Sequence, residues 1–105
     1  MNAPATLLKS AVKKIVDEYQ PEKIILFGSR AHGDERPDSD YDFIIIKNTN
    51  TRWIRRALEI PAVPFQADFF VYTPDEFQRM RKQGNVFLES ALSHHTVLYE
   101  RVKKK

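Results

Sequence analysis

Cysteine is absent from the sequence, which excludes disulfides and thiolate metal sites. No stretch approaches the eighteen or more apolar residues of a membrane span. The opening Met1-Asn2-Ala3-Pro4-Ala5 lacks the basic end and apolar run of a secretory signal, so a cytoplasmic location is expected. Repeats, linkers and low-complexity segments are also missing, and 105 residues is the size of one compact domain spanning 1–105. Excess charge is small: the net value is +3, and Lys103, Lys104 and Lys105 supply all of it. Such a tail reads as solvated. A nucleic-acid binder gathers its charge on a folded face, so direct nucleic-acid binding is not expected. What remains, 42% hydrophobic and 30% charged, is an ordinary globular composition.

The informative stretch runs from Leu26-Phe27-Gly28-Ser29-Arg30 to Asp40-Tyr41-Asp42. Apolar runs of strand length flank it, so the Gly-Ser corner closes one strand and the Asp pair opens the next. Gly28 permits a tight turn. Ser29 is a preferred N-cap, and a short helix starting there aims free N–H groups and a hydroxyl at one point, a seat for phosphate. Asp40 and Asp42 lie two apart on an extended chain, so both carboxylates project from one face, roughly 6–7 Å apart at their bases. Bare carboxylates at that spacing repel by roughly 2–3 kcal/mol at an effective dielectric of about 20. A hard dication between them reverses the sign, and an oxygen-only ligand set suits magnesium. A phosphate seat beside a carboxylate pair is what metal-assisted nucleotidyl transfer requires.

Gly28-Ser29, ten intervening residues and then Asp40-x-Asp42 resemble the signature of the polymerase-β-like nucleotidyltransferase superfamily. The short length is similar to its minimal nucleotidyltransferase branch, often the antitoxin partner of a HEPN-domain ribonuclease toxin. In that family a third acid lies on the next long strand in an apolar–Asp–apolar setting, and Ala67-Asp68-Phe69 matches it. Alone, a charge inside an apolar run reads as paired with an arginine or serving as a cap. Beside a dication on the neighbouring strand, Asp68 reads as a third oxygen ligand that also helps deprotonate an incoming hydroxyl. The resemblance gives Gly28 and Ser29 the β- and γ-phosphates, which their geometry also suits. Arg30 is a secondary candidate for a bidentate phosphate clamp. His32 stands where the family more often has arginine.

The rest of the chain supplies the scaffold. Residues 5–19 carry Leu8, Val12, Ile15 and Tyr19 at helical spacing, widened by Leu7, Ala11 and Val16, and Pro21 ends that helix. Lys23 to Phe27 reads as a buried strand, residues 29–33 as a short helix, Gly33 to Ser39 as a loop, and Tyr41 to Lys47 as the second strand. Arg52 to Ile60 is expected to be helical, with Trp53, Ala57 and Ile60 inward and Arg52, Arg55, Arg56 and Glu59 in solvent. Trp53 suits a core or a partner interface, and the arginines could meet an acidic partner. Phe65 to Tyr72 reads as a third strand with Asp68 in its middle. Thr73-Pro74-Asp75-Glu76 starts a helix that carries Phe77 and Met80 and stops near Gly84. A further helix through Phe87, Leu88, Ala91 and Leu92 leads to a last strand at Thr96 to Tyr99, and His94 and His95 read as surface helix. The order implies an α/β (α+β) fold, a mixed sheet of three or four strands with helices packed on it.

The expected reaction is attack by an acceptor hydroxyl on the α-phosphate of a nucleoside triphosphate, releasing pyrophosphate. Two magnesium ions are expected, one held by Asp40, Asp42 and Asp68 and the other by Asp40 and Asp42 with the triphosphate. The resemblance implies ATP as donor; no residue selects adenine. No stretch is left over for a second, acceptor-binding domain, which favours a protein acceptor. The resemblance implies a HEPN ribonuclease toxin carrying AMP on a tyrosine. Two alternatives stand beside this antitoxin reading: a module that masks the toxin by contact alone, and a transferase acting on a small molecule.

Overall fold

The computed structural model describes residues 5–28 and 40–102. The expected helix at 29–33, the loop from Gly33 to Ser39, and with them Ser29, Arg30 and His32, lie outside the described residues. Helix α1 (Ala5–Tyr19) leads into strand β1 (Lys23–Phe27), followed by β2 (Tyr41–Ile46), the short α2 (Trp53–Arg56) with a 3-10 turn at Ala57–Glu59, and β3 (Ala67–Tyr72). Helices α3 (Pro74–Lys82) and α4 (Val86–Ser93) precede the last strand, β4 (His95–Glu100).

The four strands form one mixed sheet in the order β3-β2-β1-β4. β1 pairs antiparallel with β2 and β4, while β2 and β3 run parallel. Alternation along the central strands divides the core in two. Ile24, Leu26, Phe43 and Ile45 face α1, where Ile15 and Tyr19 pack on them. Ile25, Phe27, Ile44 and Ile46 face the other way, against Phe77 of α3 and Leu88 and Ala91 of α4. Both faces of the sheet are therefore covered, which is why β1 and β2 read as continuous apolar runs rather than as alternating ones.

Local signals place the helices. Gln20 leaves α1 with φ of 55°, and Pro21, which cannot continue the helix, stands next. At the start of α3 the Thr73 hydroxyl accepts from the Glu76 N–H at 3.2 Å, and the Glu76 carboxylate accepts from the Thr73 N–H at 2.9 Å. Asn85 caps α4 by accepting from the Leu88 N–H at 3.0 Å.

Three expectations are corrected. β3 begins at Ala67, not Phe65, because its ladder with β2 opens at the pair Tyr41–Ala67. Phe65 instead tilts onto the Tyr41 ring, with centroids 4.6 Å apart. Arg56 is not on a wet face: it is 6% exposed. Its guanidinium donates to the Thr51 and Val71 carbonyls at 2.7 and 3.1 Å and, through two nitrogens, to the Glu76 carboxylate at 2.7 and 3.1 Å. Helix α2 is too short to bury an apolar stripe, so this bidentate pair does the anchoring. Finally, α4 ends at Ser93, so His95 opens β4 rather than extending a helix.

Candidate active site

The end of the sheet away from Arg56 collects the acids. Asp42 is the second residue of β2, and parallel pairing sets it in register with Asp68, the second residue of β3. Asp42 and Asp68 share the alternation of Ile44 and Tyr72, so they belong to the face that α3 and α4 cover. Asp40 is exposed, one residue ahead of β2. On the other flank of Asp42 its register partner is Phe27, the last residue of β1, and Gly28 follows.

Gly28 has φ of 81°, in the left-handed region, and a Cβ placed there would come within 2.8 Å of Asp42 Oδ2. Glycine is needed twice over, for the turn and for the carboxylate lying against its backbone. Asp42 is half-buried there, and its carboxyl is held above the usual carboxylate range. Burial is the largest cause, followed by the charges of Asp68 and then of Asp40. Among the described residues no cation pairs with Asp42 or Asp68. Asp68 is exposed at the start of its strand rather than set in the middle of an apolar run. The cost of burial is thus borne by Asp42, and Asp68 is open to solvent and to an incoming group.

Family comparison adds to this geometry. The sequence from residue 10 to residue 104 matches the family model for "Polymerase beta, Nucleotidyltransferase". The chain belongs to the polymerase β nucleotidyltransferase family. No curated protein matches the sequence. Among solved structures, a Sulfolobus solfataricus protein provisionally described as a nucleotidyltransferase is similar to this chain over 91% of its length and 79% of the other's. The TM-score is 0.60 at 20% identity, a likeness of fold.

In this nucleotidyltransferase domain the described acids share a field without closing into a cage: among the described residues no three His, Asp or Glu side chains are grouped so as to hold a metal ion. Their chemistry nevertheless fits one. The donors are all carboxylate oxygen, and the group between the other two is pushed toward protonation by burial and by its neighbours. A hard divalent cation answers both conditions. Asp40, Asp42 and Asp68 are the residues that would hold it.

Gly28 also lines a cleft of about 340 Å³, which it and Phe27 share with Phe87, Ser90 and His94. It forms because Phe27 pairs with His95, which brings the end of α4 beside the Gly28 corner. No local signal in the sequence gives that pairing.

Proposed function

We propose that the protein transfers AMP from ATP to a hydroxyl, that of a tyrosine on a HEPN-type ribonuclease toxin, and so acts as its antitoxin. The observation that carries the chemistry is the register pairing of Asp42 with Asp68 beside Gly28. The acceptor oxygen forms a bond to the α-phosphorus, the bond from that phosphorus to the bridging oxygen of the β-phosphate breaks, and pyrophosphate leaves with the electron pair. Asp68, exposed on the flank of Asp42 away from Gly28, receives the acceptor proton. Gly28, with Ser29 and Arg30 after it, holds the leaving phosphates. Asp40, Asp42 and Asp68 would hold magnesium, which when bound would supply charge neutralisation for the triphosphate and lower the pKa of the acceptor hydroxyl.

A protein acceptor is supported by the resemblance to the minimal branch and by the surface. Ile54 and Leu58 are 80% and 76% exposed, beside half-exposed Trp53 and the exposed Arg52 and Arg55. Apolar side chains left together in solvent mark a contact surface. The same patch favours the masking alternative, in which contact alone silences the toxin. Coexpression with the product of the adjacent gene, followed by intact-mass measurement, is expected to show one or more added AMP units. Asp40→Asn with Asp42→Asn is expected to abolish both the added mass and the neutralisation. Neutralisation that survives these substitutions would establish masking, and an unmodified partner with active protein would overturn the proposal.

A further inference from the structure

Gly28 is a wall shared by two spaces. Asp42 of β2 lies against its backbone, and Gly28 also lines the 340 Å³ cleft with Phe87, Ser90 and His94 from α4 and its C-cap. We infer that this cleft seats the nucleobase of the donor nucleoside triphosphate, with Phe87 as its stacking surface; the inference rests on the nucleotidyl-transfer reading above.

The volume falls within the range of small-molecule clefts, about 300–1,000 Å³. The Phe87 ring stands edge-on to Phe27, with centroids 5.7 Å apart, and tilts against Phe70 at 5.1 Å, so its position is fixed by packing. It is still 38% exposed. An aromatic face held in place yet open to the cleft stacks a base with little loss of side-chain freedom. Ser90, Ser93 and His94, from the same helix and its C-cap, line the cleft as well. Ser93 is tied down by donating to the Ser90 carbonyl at 2.7 Å, and its oxygen lies 3.4 Å from His94 Nδ1. With its proton committed to that carbonyl, the Ser93 hydroxyl is left as an acceptor, which suits an exocyclic amino group of a base.

Strand order separates donor from acceptor. Asp68 on β3 lies to one side of Asp42, and Gly28 and the cleft lie to the other. An acceptor hydroxyl that gives its proton to Asp68 arrives from the β3 flank. The nucleoside, linked to phosphates at the Gly28 corner, is left with the β1–β4 flank, where the cleft is.

Isothermal titration of the full chain with Mg-ATP and, separately, with Mg-tripolyphosphate distinguishes base from phosphate binding. Phe87→Ala is expected to weaken Mg-ATP binding about tenfold, the loss of one stacking contact, and to leave tripolyphosphate binding unchanged. Phe87→Tyr should behave as the parent protein. Because Phe87 also packs on Phe27 and Phe70, Ser90→Trp is the companion variant: it fills the cleft from an exposed position on α4 and should give the same selective loss. Equal weakening of both probes, or no weakening of either, overturns the inference. So does unchanged ATP binding with lost transfer, which would assign the cleft to the acceptor. A parent protein that binds neither probe overturns the nucleotidyl-transfer reading itself.

Discussion

Asp42 concentrates the electrostatics of the site in one side chain. Its folded pKa lies above its ordinary value of 3.8. Between those two values the native protein holds more protons than the unfolded chain, so this group makes stability fall as pH rises through that window. Above it, the ionised carboxylate is a standing penalty. Asp42→Asn is therefore expected to raise the Tm at pH 7 in metal-free buffer and to flatten the decline above pH 4; thermal scans from pH 4 to 8 check this, and a uniformly lower Tm would count against it. Magnesium should stabilise the parent protein, by about 2.7 kcal/mol at a hundredfold excess over its Kd, and have little effect on the variant. The start of β2 just after Asp40 was legible in the sequence, because Phe43 to Ile46 is an apolar run of strand length. The exposure of Asp68 was not, since the preceding Phe65 and Gln66 look like strand until the partner strand is known to start at Tyr41.

Among the elements, α3 and α2 show why some were legible and others not. The capping box of Thr73 and Glu76 lies within four residues, so its chemistry is complete in the sequence. The Arg56 contacts are spread over residues 51, 71 and 76, and hydrophobic spacing has no term for a buried cation. Glu76 serves both: its carboxyl is held below its usual range by the Arg56 hydrogen bond first and by Thr73 after that. Its stabilisation is present above the unfolded carboxylate pKa and lost as pH falls through the lower folded value. Arg56→Ala should cost about 3 kcal/mol in urea denaturation, the low end for a broken buried pair, because the Glu76 side chain keeps 34% of its surface in water. Arg56→Met with Glu76→Gln should recover part of that loss, since no charge is then left unpaired. A single variant that unfolds like the parent would show that the pair anchors nothing.

In the molecule as a whole, the sheet insulates two cores from each other. Ile15 packs on one face and Ile44 on the other. Ile15→Val and Ile44→Val should each cost about 0.5–1.5 kcal/mol, and the double variant should equal their sum within about 0.5 kcal/mol. A larger discrepancy would mean that the faces are coupled through the strands. Apolar runs announce strands and their burial, but they carry no label for a partner. The pairing of β1 with β4, across almost seventy residues, was therefore invisible until the fold was in hand. That topology also sets a schedule for synthesis. Everything from Gly28 to Asp68 is made before α4 and β4, so a nascent chain carries the acids of β2 and β3 before the residues that line the cleft beside Gly28 have followed. If the cleft seats a base as inferred above, α4 and β4 have to be in place before a nucleotide can be gripped.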